Sequence, residues 1–175
     1  MEVQLLSAGG PAIGQETDVT ALYAAHRLGL VRLALIMVGD LGTAEDVVQE
    51  AFARTHAARG RLRDPGKALA YIRSAVLNRS RSVLRRRATA ARRGVPYEPP
   101  IWSAESAVLL REERRAVLTA LGRLPHRQRE ALTLRYYLDL SDLEIARTMG
   151  IRASTARSTI ARGLAALGQE LKETR

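Results

Sequence analysis

Residues 140–167 read LSDLEIARTMGIRASTARSTIARGLAAL, two helical runs that meet at Gly150. Ser141 and Glu144 have the S-x-x-E spacing of a capping box, in which each residue satisfies an N–H of the other at a helix start, so a helix opens at Asp142. Gly150 suits the left-handed residue that ends such a helix and turns the chain, and Ile151 is placed to plug the corner. The first run carries Leu140, Leu143, Ile145, Ala146 and Met149, enough apolar bulk to be buried. The second sets Ala156, Ile160, Leu164 and Leu167 on one face. Its other face holds Arg152, Ser154, Thr155, Arg157, Ser158, Thr159 and Arg162. Short hydroxyl side chains let a helix backbone enter a major groove roughly 12 Å wide, and arginine reaches guanine edges or phosphates. A surface αα-hairpin with a solvated basic face has the same pattern, so this stretch alone establishes a helix-turn-helix and only suggests DNA.

The charge layout adds to that suggestion. The net charge is +10, and of 28 basic residues only Lys67 and Lys172 are lysine. Residues 1–53 are net −5 (2 basic, 7 acidic), residues 54–93 net +12 (13 basic, 1 acidic) and residues 94–175 net +3 (13 basic, 10 acidic). Arginine's planar fork suits bidentate recognition of phosphate and guanine, so a polyanion is the leading partner. With no cysteine, disulfides and thiolate metal sites are excluded. The first residues, MEVQLLSAGGPAIG, lack the basic and apolar regions of a signal peptide, and no uninterrupted apolar run of 18 residues occurs. The expected compartment is therefore the cytoplasm.

Elsewhere the periodicity is helical throughout, and no window alternates long enough for a strand. Residues 1–17 mix Gly, Pro, Ser and Gln and read as a disordered tail. A helix is expected over 18–38, then a GDLG turn at 39–42. A second helix opens at Thr43, with Thr43 and Asp46 as a variant capping box, and buries Ala44, Val47, Val48, Ala51 and Phe52. Its opposite face, Glu45, Asp46, Gln49 and Glu50, is acidic: ill suited to DNA, better suited to a basic protein surface. After the breakers of RDPG a long basic helix covers about 67–90, facing Leu69, Ile72, Ala75, Val76 and Val83 inward. On it Arg73, Arg81 and Arg85 recur near helical spacing beside Asn78 and Ser82, a stripe able to track a phosphate backbone. Residues 92–106 hold three of the six prolines and read as a linker. Helices are expected at about 106–121 and 126–138 before the two opening runs. The fold class is all-α: a domain over 18–91, a flexible linker over 92–106 and a second small helical domain over 107–175.

AEDVVQEAF, the basic helix with AVLNRSRSVLRR, and LPHRQREALTLRYYLDLSDLEIARTMGIRASTARSTIARGLAAL together resemble the extracytoplasmic-function group of bacterial sigma-70 family sigma factors. The resemblance covers about 20–88 and 107–167; the C-terminal block taken alone is also similar to LuxR-type regulator domains. It implies that the first domain, sigma region 2, docks the β′ clamp helices of core RNA polymerase and captures the −10 element. Asp46, Gln49 and Glu50 match the polymerase-docking positions. The loop RLRDPGKA at 61–68, with Arg63 and Lys67, matches the segment that cradles a flipped base, and Arg73, Asn78, Arg81 and Arg85 match the helix lying against −10 DNA. The second domain, sigma region 4, meets the β flap and reads the −35 element with Arg152, Ser154, Thr155, Arg157, Ser158 and Arg162. The resemblance also implies an anti-sigma partner and no cofactor. Where the family commonly has an N-capping Ser this chain has Arg152; where it has Gly, Ser154; for its Val-Lys pair, Ala156-Arg157; and for a frequent Arg, Thr159. Tyr71 is the single aromatic near the −10 helix, which fits a factor that melts few base pairs.

Two other classes compete. A stand-alone helix-turn-helix regulator would bind duplex DNA by itself, usually as a dimer on a palindrome. An enzyme is not supported: His26, His56 and His126 lack metal-ligand spacing, and no phosphate-cradling glycine motif is present.

Overall fold

The computed structural model describes residues 19–57, 65–94 and 115–173. The N-terminal tail, Arg63 with the rest of 58–64, and most of the expected linker and of the helix after it, 95–114, lie outside the described residues. Within them all regular structure is helical. In chain order the helices are α1 (Val19–Val38), α2 (Leu41–Ala57), α3 (Pro65–Arg92), α4 (Arg115–Arg123), α5 (His126–Tyr136), α6 (Asp142–Met149) and α7 (Ala153–Glu173).

The first three helices pack on one another. The inward residues expected for α2, Ala44, Val47, Val48, Ala51 and Phe52, are all buried, and Phe52 meets Tyr23 of α1 edge-on at 4.8 Å. The start of α2 differs from expectation. Asp40, not Thr43, is the cap: its carboxylate accepts from the Thr43 N–H at 2.8 Å and its carbonyl from the Ala44 N–H at 3.0 Å. An aspartate at N-cap leaves its oxygen free to reach back to the third N–H, so D-x-x-T wins over T-x-x-D. Arg87 of α3 secures this corner, donating to Asp40 Oδ2 (2.6 Å), Val38 O (2.6 Å) and Thr43 Oγ1 (3.0 Å). Burial alone would raise the Asp40 carboxyl, but the bonds from Thr43 and Arg87 outweigh it and hold it below its ordinary value.

The C-terminal half of α1 is buried on every side, from Leu30 through Val38 except for half-buried Arg32. A helix apolar all round must be covered all round, and it is: α2 and α3 take one side while α4 and α5 take the other. With 20 residues α1 is long and apolar enough to cross a membrane by composition; here it is the helix shared by both halves of the core. Two polar contacts fix the same junction. Arg129 of α5 donates to Met37 O at 2.7 Å, and the Tyr137 hydroxyl donates to Gly29 O at 2.9 Å.

The turn between α6 and α7 follows its expectation. Ser141 accepts from the Glu144 N–H (3.4 Å) and its own N–H donates to Glu144 Oε2 (2.8 Å), a complete capping box. The bonds from Ser141 hold the Glu144 carboxyl below its ordinary value. Gly150 is left-handed (φ 65°, ψ 38°). Its N–H reaches Arg147 O (3.3 Å) and that of Ile151 reaches Ala146 O (2.9 Å), the paired bonds of a Schellman turn. Two apolar residues are placed differently from expectation. Leu143, in the first turn of α6, is 61% exposed, and Leu164 is 43% exposed. Steps of four residues advance about 400°, so a row at i, i+4, i+8 drifts about 80° off the buried face. The stripe actually buried is Ala156, Thr159, Ile160 and Gly163. At Gly163 the α7 backbone comes so near α5 that an added Cβ would lie 3.1 Å from Leu132 Cγ.

Candidate nucleic-acid interface

Three surfaces carry the expected site residues. On α7, Arg152, Ser154, Thr155, Arg157, Ser158 and Arg162 are all exposed, while Thr159, from the same polar list, is buried and donates to Thr155 O at 2.7 Å. The Ala156 N–H bonds to Arg152 O at 2.9 Å, which puts Arg152 at N-cap. Arginine has no acceptor, so it leaves the orphan N–H groups of the first turn open. Ser158 Oγ donates to Thr155 O (3.0 Å) and Arg162 Nε to Ser158 O (3.2 Å). Among the described residues Arg157 alone of the set is in an ion pair, Nε to Asp142 Oδ2 at 2.8 Å.

On α3 the expected residues do not share one face. At 100° per residue Lys67, Asn78, Arg81 and Arg85 fall within about 60° of each other, whereas Arg73 lies about 80° or more away from all of them. Lys67, Asn78 and Arg85 are exposed, and the half-exposed Tyr71 shares their stripe. Arg73 instead flanks a cavity of about 200 Å³ with Gly29, Leu33, Tyr137 and Leu138. Burial pushes the Tyr137 phenol up, against the opposing charges of Arg32 and Arg73.

Arg81 turns toward the second half of the molecule. Its Nη2 contacts Glu130 of α5 and donates to Thr148 O of α6 (2.8 Å); Nε adds a bond to Glu130 Oε1 (2.8 Å), and Nη1 donates to Asn78 Oδ1 (2.7 Å). Glu130 is 3% exposed. Beside this contact a cleft of about 400 Å³ opens between α3 and α5, with Arg85, Arg92, His126 and Arg127 on its walls.

On α2 Asp46 and Gln49 are exposed on the outer face. Glu50 lies next to them but is tied by Arg54 Nη2 (2.6 Å) and by Arg79 Nε of α3 (2.5 Å). Glu45 pairs with Arg27 at 3.1 Å.

Sequence reasoning missed Glu130, Asp142, Arg135 and Arg87, the partners that hold these surfaces. Glu130 left a signal: it sits four residues before buried Leu134, a carboxylate on an apolar row. Asp142, read only as a helix start, left none. Among the described residues no group of three or more His, Cys, Asp or Glu side chains is placed to hold a metal ion.

The family model described as Sigma-70 region 2 matches residues 22–90, and that described as Sigma-70, region 4 matches residues 114–167. The "RNA polymerase sigma-E factor" of Streptomyces coelicolor is 32% identical over 143 residues, covering 81% of this chain and 79% of its own. The "Probable ECF RNA polymerase sigma factor SigI" of Mycobacterium tuberculosis is 36% identical over 158 residues, 83% of this chain and 52% of its own, so the chain spans about half the length of that relative. In three dimensions the chain is similar to the sigma factor RpoE of Bartonella quintana, solved in complex with the anti-sigma factor NepR. The TM-score is 0.65 at 23% identity, over 89% of this chain and 99% of that one.

Proposed function

Because the chain belongs to the extracytoplasmic-function group of RNA polymerase sigma factors, we propose that it is a cytoplasmic transcription initiation factor without catalysis of its own. It binds core RNA polymerase and directs it to promoters by reading −35 and −10 elements. The observation that carries this reading is the combination of two unlike surfaces in one domain: the exposed acidic face of α2 and the basic stripe of α3. A polymerase-docking role suits Asp46, Gln49 and Glu50, since a carboxylate face repels DNA but complements a basic clamp. Lys67, Asn78, Arg81 and Arg85, with Tyr71 as a stacking platform, suit an opened −10 strand. The exposed residues of α7 suit the −35 major groove. Contact of Arg81 with DNA requires it to exchange Glu130 and Thr148 for phosphate or base. An anti-sigma factor would have the α2 and α3 surfaces as targets.

A stand-alone regulator would leave the α2 face without use. Pull-down with bacterial core polymerase separates the readings. The wild-type chain is retained, and Asp46→Arg with Gln49→Arg weakens retention at least tenfold with an unchanged helical circular dichroism spectrum. Equal retention of both proteins overturns the docking assignment.

A further inference from the structure

Asp142 stands between two arginines of different elements. One carboxylate oxygen, Oδ1, takes Nη2 of Arg135 on α5, while Oδ2 takes Nε of Arg157 on α7 at 2.8 Å. Arg135 is itself fixed, donating from Nη1 to Leu140 O at 2.9 Å. Asp142 is thus held from behind; its side chain is 26% exposed, against 70% for that of Arg157. An ion pair so exposed adds little to stability. Its consequence is directional.

A guanidinium offers two bidentate edges, the Nε–Nη edge and the terminal Nη–Nη edge. Asp142 occupies Nε, and among the described residues nothing else bonds the Arg157 guanidinium, whose side chain is 70% exposed on α7, so the terminal pair is open. That pair matches the O6 and N7 acceptors of one guanine. An unheld arginine at the same place has a flexible stem and a backbone of phosphates within reach, and phosphate contacts carry no sequence information. We propose that Asp142 is a specificity-determining residue. It positions Arg157 so that the terminal nitrogens read one guanine of the promoter rather than a phosphate. The proposal rests on the reading of α7 as the −35 recognition helix.

Two readouts follow that a merely structural role would not move together. Holoenzyme reconstituted with core polymerase is tested in competition against promoter fragments bearing each base at each −35 position. The wild type prefers guanine at one position by about tenfold or more, the range of a good bidentate contact. Asp142→Asn reduces that preference to below about threefold and leaves the other positions unchanged. It also steepens the dependence of log affinity on log salt by about one, because the released arginine neutralises one more phosphate. Arg157→Ala loses the same preference without the steeper salt dependence, and adding Asp142→Asn to it changes nothing further. Thermal melts check the fold. Asp142→Ser, which keeps a small polar residue at the helix start but cannot hold Arg157, repeats the experiment should the Asn variant melt early. A selective wild type whose Asn and Ser variants keep both its guanine preference and its salt slope overturns the proposal alone. So does an Arg157→Ala variant that loses no preference. A wild-type holoenzyme with no sequence preference overturns the initiation-factor reading, and the proposal with it.

Discussion

Arg87 and Asp40 form a corner that joins the end of α1, the start of α2 and the tail of α3. Because the folded state lowers the Asp40 carboxyl, its contribution is present above the unfolded value of about 3.9 and is lost as pH falls through the lower folded value. Asp40→Asn retains a capping residue but not the ion pair. Its melting temperature therefore lies below wild type by a constant margin above about pH 5, and the margin closes as pH falls below about 4. A gap that stays constant down to pH 2 contradicts the assignment. The exposure of the candidate residues was legible because it follows from spacing: Ser154, Thr155 and Ser158 could face only outward once Ala156 and Ile160 were inside. Their partners were not. Asp142 lies 15 residues from Arg157 and Glu130 lies 49 from Arg81, and no periodicity links positions so far apart.

At the scale of elements, two glycines set the seat of α7 by different means. Gly150 needs its left-handed backbone, and no atom lies within 4 Å of an added Cβ, so Gly150→Ala costs backbone strain alone, about 1–2 kcal/mol. A denaturant midpoint measured by circular dichroism should fall accordingly. Gly163 needs its smallness. An interior glycine gives up about 1 kcal/mol of helix propensity against alanine, and the return is close packing on Leu132. Gly163→Val should weaken −35 binding by the holoenzyme, because a branched side chain lifts α7 off α5 and displaces Arg157 from Asp142. Helix positions and the turn were readable because capping chemistry and breakers are local. The rotation of α7 was readable only to first order, since the expected row Ala156–Ile160–Leu164 drifts away from the core that Thr159 and Gly163 complete. The cap of α2 was misread because both Asp40 and Thr43 are good N-cap residues, and the sequence does not show that Arg87, 44 residues beyond Thr43, bonds to both at this corner.

For the molecule as a whole, the two matched regions share one core through α1, and Arg81 is clasped by Glu130 at the junction. The sequence was read only as a helix over 18–38; that its half from Leu30 to Val38, Arg32 excepted, is covered on every side depends on packing from α2 to α5 that no periodicity displays. Replacing Glu130 with Gln leaves the Arg81 guanidinium without its carboxylate. The free protein should lose about 2 kcal/mol of stability and about 5 °C in melting temperature. Labels on α3 and α7 should report a wider mean separation by energy transfer. An unaltered separation would mean that the apolar contacts of α1 hold the halves together unaided.

Transcription of sheared genomic DNA by core polymerase, with and without the chain, shows whether the chain gives polymerase its promoters. Discrete new start sites are expected that share one −10 and one −35 sequence, the latter containing the guanine read by Arg157. Transcripts indistinguishable from those of core polymerase alone would contradict that role.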